Sequence, residues 1–151
     1  MRKAAVLVFA AGWTLVLACA PKGDPVRETL DDIVRAANAR DADRLFEHVS
    51  PSFQAADGSG LADAKAMVGR YFAAYEILTV TIRDVQIERG EGAARVRLRA
   101  ELSGQPRKIG GLSGLVPTES TYDFDLRLTL EDGRWKIAWA QWNVASARSG
   151  I

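Results

Sequence analysis

The chain contains 151 residues, of which 48% are apolar and 26% are charged. This composition is typical of one folded domain with a packed core, and it argues against a disordered chain. The formal charge at pH 7 is +1, and 18 basic and 19 acidic side chains remain when the residues before Cys19 are left out. A near-neutral charge argues against nucleic acid as a partner, because binding to phosphates requires an excess of basic side chains.

The first residues have the pattern of a bacterial export signal. Arg2 and Lys3 precede an uncharged, mostly apolar stretch over residues 4–18, and the only cysteine of the chain, Cys19, follows directly. The order Val16-Leu17-Ala18-Cys19 resembles the lipobox of bacterial lipoproteins, in which such a cysteine becomes the mature N-terminus. The resemblance therefore implies lipid attachment to Cys19.

Two other interpretations of this segment remain open. An ordinary signal peptidase could cut after Ala18-Cys19-Ala20, but proline at position 21 makes a poor cleavage site. A permanent transmembrane helix is also conceivable, although the apolar stretch is near the lower end of the roughly 17–25 residues that a span needs. Lipidation explains why the only cysteine lies at the end of the apolar stretch, so it is the favoured interpretation.

Lipidation predicts the domain organisation and the location of the protein. We expect a signal peptide over 1–18, a lipidated tether over 19–24 and a folded domain over 25–151. The lipid anchor would hold the protein to a membrane of the cell envelope. Ala20 follows the lipidated cysteine, and by resemblance to the sorting rule of enteric bacteria this favours the outer membrane, facing the periplasm.

Helical patterns dominate the first part of the domain. Asp24 is suited to cap a helix that begins at Pro25, where a missing N–H has no cost. Asp41 is suited to cap a second, short helix, which we expect to stop at Ser50 because proline disfavours helical geometry in the residue before it. A third helix follows the turn over 57–60, and its apolar face is formed by Leu61, Ala64, Val68, Phe72 and Tyr75.

Alternation with a period of two predicts strands in the second part. A short strand is predicted over 52–56, and four long strands begin at Ile77. The apolar phase of the first long strand slips near Arg83-Asp84, which predicts a β-bulge. A long loop is predicted over 103–120, and Asp132-Gly133 predicts a tight hairpin before the last strand.

The order of these elements resembles a known superfamily. The predicted order over residues 25–145 is helix, helix, short strand, helix and four antiparallel strands. Three segments also resemble the superfamily in local sequence: Ala36-Ala37-Asn38-Ala39-Arg40-Asp41, Ser50-Pro51-Ser52-Phe53 and Asp132-Gly133-Arg134-Trp135-Lys136-Ile137. The chain is similar to the nuclear transport factor 2-like superfamily, also called SnoaL-like or cystatin-like. The resemblance implies an α+β fold in which a cone-shaped, curved antiparallel sheet wraps around N-terminal helices.

Enzymes of this superfamily, such as ketosteroid isomerase and scytalone dehydratase, place acid and base groups inside the cone. The expected inward positions of the second and third long strands are apolar here, and Tyr122 is their only titratable residue. His48 and Asp57 remain as candidate catalytic residues, although the favoured interpretation of His48, which has no evident carboxylate partner, is that it stabilises a helix C-terminus. No spacing of side chains indicates metal ligands, and no cofactor is expected.

A basic stripe formed by Arg95, Arg97 and Arg99 has two interpretations. It could bind an anion, or it could pair across strands with Asp123 and Asp125 on the neighbouring strand. We favour the cross-strand pairs, because oppositely charged neighbours stabilise antiparallel strands.

Two further features could belong to a binding site. The glycine-rich loop over 109–117 lacks the Gly-Lys-Ser/Thr sequence of a phosphate-binding loop, and it could close over the cone, contact a partner or pack on the core. Tyr71, Tyr75, Trp139 and Trp142 are candidate pocket residues, although aromatic side chains at such spacing also occur in ordinary cores.

The favoured function is that of an envelope lipoprotein whose domain binds an apolar small molecule or an envelope protein partner without catalysis. The alternatives are a small enzyme of the isomerase or dehydratase type that uses His48 or Asp57, and a structural accessory of an envelope complex. The fold by itself does not choose among these functions.

Overall fold

The structure is a computed structural model that describes residues 23–108 and 117–145. These two segments form three helices and one five-stranded sheet. The helices are α1 (Pro25–Asn38), α2 (Ala42–Phe46) and α3 (Leu61–Ala74). The strands are β1 (Val49–Ala55), β2 (Tyr75–Arg89), β3 (Ala93–Pro106), β4 (Glu119–Glu131) and β5 (Arg134–Val144).

Helix α1 begins as predicted and ends in a turn that contacts the sheet. The Asp24 side chain accepts a hydrogen bond of 2.9 Å from the backbone N–H of Val26. Arg40, just beyond the helix, has a left-handed backbone with φ of 53°. Its guanidinium donates a hydrogen bond of 2.7 Å to the carbonyl oxygen of Tyr75, so the end of α1 is tied to the start of β2.

The last residue of α1 also covers part of an edge strand. The Asn38 side chain accepts a hydrogen bond of 2.6 Å from the N–H of Val80 and donates one of 3.1 Å to its carbonyl oxygen. β2 is an edge of the sheet, so these backbone groups have no neighbouring strand on that side. The amide of Asn38 therefore takes the place of a strand at this point.

Helix α2 is shorter than predicted. Asp41 caps it as expected, but the helix ends at Phe46 rather than at Ser50, and Val49 already begins β1. β1 pairs with β5 and places Val49 opposite Ile137. The backbone groups of this segment therefore form hydrogen bonds with the sheet instead of extending the helix. The proline within β1 is tolerated because this strand forms the other edge of the sheet.

The boundary between α3 and β2 also differs from the prediction. The carboxylate of Asp63 accepts a hydrogen bond of 3.1 Å from the N–H of Gly60 at the start of α3. Tyr75 was expected on the apolar face of this helix, but it is the first residue of β2 and lies opposite Pro106 of β3. Tertiary pairing thus ends the helix one residue earlier than the apolar pattern predicted.

The sheet has the strand order β1-β5-β4-β3-β2 and is mixed rather than wholly antiparallel, because β1 runs parallel to β5. The predicted bulge in β2 is confirmed by a register shift between Arg83 and Gln86 and by a φ of 52° at Asp84. The loop predicted over 103–120 is shorter, since β3 continues to Pro106 and β4 begins at Glu119.

The core lies between the helices and the inner face of the sheet. The predicted alternation of the central strands is confirmed, and the buried side chains on their inner face are Ala94, Val96, Leu98, Ala100, Leu126 and Leu128. Val26 and Leu30 of α1 belong to the same cluster. Leu130 continues the apolar phase of β4 but is 46% exposed, because the helices do not cover this end of the strand.

The outer face carries the predicted charge ladder. Three ion pairs with N–O distances from 2.6 to 2.9 Å join the arginines of β3 to neighbouring strands: Arg95–Asp125, Arg97–Glu88 and Arg99–Asp123. Asp125 is also directly opposite Arg97 in the register. Such exposed pairs stabilise a protein by roughly 0.2–1 kcal/mol each, so the ladder explains the basic stripe without a bound anion.

Candidate functional site

A cavity of about 360 Å³ lies between the three helices and the inner face of the sheet. All eight elements contribute to its wall. The helices supply Ile33, Ala37, Leu45, Phe46, Ala64, Met67, Val68, Tyr71 and Phe72. The strands supply Val49, Phe53, Leu78, Val80, Ala100, Leu102, Tyr122, Phe124, Leu126, Ile137, Ala140 and Trp142.

The cavity exists because small side chains and a loosely packed helix leave space. Alanines stand at Ala37, Ala64, Ala100 and Ala140 of the wall. Helix α3, which the structure describes in full, has no buried residue, so it covers the cavity without filling it. Space of this kind, lined by apolar groups, favours an apolar occupant because water gains few hydrogen bonds there.

The wall is chemically simple. Among the described residues that line the cavity none is charged, and the only side-chain nitrogen and oxygen atoms belong to Tyr71, Tyr122 and Trp142. A wall of this composition can bury an apolar ligand and offer it a hydrogen bond. General acid-base chemistry at neutral pH would need a carboxylate, an imidazole or a similar group within hydrogen-bond reach of the substrate.

The tyrosines form one polar end of the cavity. The rings of Tyr71 and Tyr75 are 5.1 Å apart, and their hydroxyl oxygens are 3.5 Å apart. The hydroxyl of Tyr75 donates a hydrogen bond of 2.6 Å to the carbonyl oxygen of Pro117. Burial, together with the hydrogen bond to Tyr75, raises the pKa of Tyr71 to about 12, so this phenol is neutral at physiological pH.

The four aromatic residues predicted for a pocket separate into two groups. Tyr71 and Trp142 line the cavity, and Tyr75 is 2% exposed and lies behind Tyr71. Trp139 lies outside the cavity wall, and the guanidinium of Arg127 is 4.5 Å from its ring centre. Trp139 and Trp142 are three residues apart in β5, so they face opposite sides of the strand. The register shift between Arg127 and Leu128 moves Trp139 out of phase with Ile137, which faces the cavity.

The two candidate catalytic residues lie away from the cavity wall. His48 contributes its backbone carbonyl to the N–H of Ile137, at 2.9 Å, at the junction of α2 and β1. Asp57 is exposed in a turn, where its carboxylate accepts hydrogen bonds from the hydroxyl and the backbone N–H of Ser59. These bonds, the hydroxyl first, lower the pKa of Asp57, which is the reverse of what a general acid requires.

Several sequence predictions concern other parts of the chain. Cys19, the predicted signal peptide over 1–18 and most of the predicted tether lie outside the described residues, as do residues 109–116 of the glycine-rich loop. Within the described segments no group of three or more histidine, cysteine, aspartate or glutamate side chains is placed to hold a metal ion. None of the helices in those segments is long and apolar enough to cross a membrane.

Comparison with solved structures identifies the architecture. A candidate scytalone dehydratase from Novosphingobium aromaticivorans matches with a TM-score of 0.69 at 13% identity, over 81% of this chain and 83% of that one. The nuclear transport factor 2-like superfamily protein from Salmonella enterica matches with a TM-score of 0.64 at 15% identity, over 83% of this chain and 92% of that one. The chain has the nuclear transport factor 2-like fold.

A third structure of the nuclear transport factor 2-like fold is a candidate dehydratase from Streptomyces avermitilis. It matches with a TM-score of 0.68 at 13% identity, over 82% of this chain and 96% of that one. No model of a protein family matches the chain, and no curated protein sequence does. At such identities the likeness establishes the fold, and the function has to be inferred from the site.

The sequence indicated some wall residues and missed others. Inward alternation placed Tyr122, Phe124 and Leu102 on the correct face, but it could not reveal that space remains in front of them. The contribution of α2 was missed because its apolar residues, Leu45 and Phe46, also suit an ordinary core. The alanines of the wall were the available signal, since an interior with several small residues opposite one another is prone to cavities.

Proposed function

We propose that this protein is a lipid-anchored protein of the bacterial cell envelope whose nuclear transport factor 2-like domain binds an apolar small molecule without catalysis. The observation that carries the proposal is the uncharged cavity of about 360 Å³ under α3. Ligand pockets commonly have volumes of about 300–1,000 Å³, so this cavity is suited to a compact ligand rather than a long lipid chain.

The driving force for such binding is the removal of apolar surface from water, which contributes about 25 cal/mol per Å². Because no described residue of the wall is charged, burial of an apolar ligand there does not require the desolvation of a charged side chain. Helix α3 is the most exposed part of the wall, because none of its residues is buried, and it contributes Ala64, Met67, Val68, Tyr71 and Phe72.

An enzyme of the dehydratase type is the second candidate, and the names of the similar structures favour it. Such an enzyme would need an acid or base within hydrogen-bond reach of its substrate. His48 and Asp57 are not among the described residues of the wall, so neither is placed to fill this role in the cavity. This geometry supports binding over turnover.

An envelope protein partner, or a structural role in an envelope complex, would require an exposed apolar face. The large exposed apolar side chains of the described segments are distributed over four elements: Met67 in α3, Ile77 in β2, Leu130 in β4 and Val144 in β5. Single exposed apolar residues are common on protein surfaces. The apolar cavity therefore supports a small-molecule ligand better than a docked protein.

Filling the cavity is expected to abolish ligand binding while the fold is kept. The probe is the neutral fluorescent compound N-phenylnaphthylamine, which becomes bright in apolar sites. In Ala64→Phe the new ring enters the cavity, and we expect the affinity for the probe to fall at least about tenfold, equivalent to about 1.4 kcal/mol. Fluorescence titration of the purified domain measures this affinity.

The matched control is Ala66→Phe, which places the same side chain on the exposed face of the same helix. It should bind the probe as the original protein does. Equal affinities of both variants would show that the probe binds elsewhere and would contradict the proposal. Purified domain that isomerises or dehydrates a substrate, and loses this activity in His48→Ala, would favour the enzyme instead.

The proposal of a lipid anchor rests on the sequence order around Cys19. Asp24 caps the first helix, and the five residue-to-residue steps from Cys19 to Asp24 span at most roughly 18 Å when extended. Asp24 forms an ion pair of 3.0 Å with Arg89 at the end of β2. A lipidated Cys19 would therefore hold this end of the domain, with the β2–β3 turn, close to the membrane surface.

Cys19→Ser is expected to abolish lipid labelling and to leave an unprocessed precursor, because the thiol that receives the diacylglyceryl group is lost. Metabolic labelling with a fatty acid analogue, followed by intact-mass measurement, tests this prediction in a bacterial host. An unlipidated mature chain that begins at Pro21 in the unmodified protein would disprove the anchor. The cavity and its ligand would remain to be tested separately.

A further inference from the structure

We propose that the ligand of this cavity is an aromatic compound whose flat ring system packs against a row of three aromatic side chains on the inner face of the sheet. The aromatic row consists of Tyr122, Phe124 and Trp142, and all three side chains line the cavity. This inference rests on the proposed binding function and names the chemical class of the ligand.

The aromatic row crosses two neighbouring strands. Phe124 of β4 lies directly opposite Trp142 of β5, and Tyr122 precedes Phe124 by two residues, on the same face of the strand. The ring centre of Phe124 is 6.3 Å from that of Tyr122 and 6.2 Å from that of Trp142. These distances are in the range of aromatic contacts, so the three rings form one continuous surface.

The protein leaves this part of the inner face incompletely covered. Leu126 and Leu128 continue the same face of β4 and are buried, whereas the three rings of the aromatic row are only half-buried. On the β3 side, the residue directly opposite Tyr122 is Ala100, which has only a methyl group. The aromatic row therefore retains apolar surface that a ligand in the cavity can remove from water.

A row of rings favours an aromatic ligand over a saturated one. Aromatic rings prefer offset-stacked or edge-to-face contacts, which add to the effect of buried area. The ring planes of Phe124 and Trp142 are inclined by 32°, and those of Tyr122 and Phe124 by 60°. Because the rings are tilted differently, a flat ligand that lies along one ring meets the next at an angle, and both kinds of contact are available to it.

The polar groups of the wall do not restrict the ligand to one role in hydrogen bonding. The indole N–H of Trp142 is a donor, and the hydroxyls of Tyr71 and Tyr122 can donate or accept. A neutral hydroxyl group on the ligand can therefore find a partner in either role. The rings of the wall, rather than its polar atoms, distinguish one class of ligand from another.

Two alcohols with the same carbon skeleton test this preference: 2-naphthalenemethanol, which is aromatic, and trans-decahydro-2-naphthalenemethanol, which is saturated. Both carry one primary hydroxyl group, so their hydrogen bonds to the wall are equivalent. Buried area alone predicts that the saturated compound binds at least as tightly, because it has the larger apolar surface. With contacts to the aromatic row, we expect 2-naphthalenemethanol to bind roughly twofold to tenfold more tightly in calorimetric titration of the purified protein.

Trp142→Leu gives the decisive comparison, because it removes one ring of the aromatic row and keeps an apolar side chain. The enlarged cavity can change the affinity for both alcohols, so the measured quantity is the ratio of the two affinities. We expect this ratio to fall toward one in Trp142→Leu and in Phe124→Leu. Trp139→Leu is the matched control, since it makes the same substitution in the same strand outside the cavity wall, and it should keep the ratio of the unmodified protein. Thermal unfolding of each variant verifies that the fold survives.

Equal binding of the two alcohols by the unmodified protein, or tighter binding of the saturated one, would overturn the inference. A preference that persists undiminished in both Trp142→Leu and Phe124→Leu would overturn it as well, and so would an equal fall of the ratio in Trp139→Leu. The inference also fails if N-phenylnaphthylamine binds and neither alcohol does. In these cases the proposed binding function stands, whereas failure of N-phenylnaphthylamine and of both alcohols to bind would overturn both.

Discussion

Replacement of Gly104 by alanine is expected to lower the free energy of unfolding by about 3 kcal/mol, the upper end of the usual effect of overpacking. A Cβ atom at this position of β3 would lie 2.3 Å from the carbonyl oxygen of Ile77 and 2.8 Å from Cδ1 of Tyr75. The first of these neighbours is backbone and cannot move without disturbing the pairing of β2 with β3. The second belongs to the tyrosine end of the cavity.

Chemical denaturation of Gly104→Ala, of a control variant and of the unmodified domain measures this loss of unfolding free energy. Gly69→Ala is the matched control, because Gly69 lies in α3 and a Cβ atom added there would have no neighbouring atom within 4 Å outside its own helix backbone. Alanine is favoured over glycine in a helix by about 1 kcal/mol, so this variant should be stabilised or unchanged. A loss in Gly69→Ala as large as that in Gly104→Ala would contradict the close approach of β2 and Tyr75 to Gly104.

Leu128→Ala is expected to destabilise the domain by about 2–5 kcal/mol, since it leaves a cavity among fully buried neighbours. Leu128 is 1% exposed on the inner face of β4. Leu130→Ala provides the comparison, because the same side chain lies two residues further along the same strand and is 46% exposed. Its effect should remain within about 0.5 kcal/mol.

The midpoint and slope of urea unfolding for these two variants test the described facing of β4. Similar losses at both positions would mean that the end of β4 is covered by part of the chain or by another copy. A larger loss at Leu130 would mean that the strand is displaced by one residue, because such a shift exchanges the inner and outer faces. An unchanged slope would show that the unfolded state is comparable.

Much of the fold could be predicted from local patterns. The local sequence was sufficient to predict three features, because each depends on residues that are close in the chain: the helix caps at Asp24 and Asp41 and the bulge at Asp84. The alternation of β3 and β4 identified the buried face because the side-chain period of a strand is two. The ion pairs of Arg95 and Arg99 followed from the same alternation.

The sequence predictions were wrong where contacts between distant segments determine the boundary of an element or the side that a residue faces. Val49 begins a strand because β5 lies beside it, and the parallel direction of β1 is set by the path of the chain between them. Trp139 does not share the inner face of Ile137, because a bulge that no residue type indicates lies between them. A predicted pocket based on aromatic residues therefore included one side chain from the outer face.

The sequence by itself determined the α+β class, the order of the elements, the inner face of the central strands and the prediction of a lipidated Cys19, because each follows from residue type and spacing along the chain. Only the tertiary structure decided that a cavity remains under α3 and that the tyrosine hydroxyls meet at one end of it. The physical reason is that empty volume and contacts between hydroxyl groups depend on distances between residues such as Tyr71, Tyr75 and Pro117, which separate elements bring together.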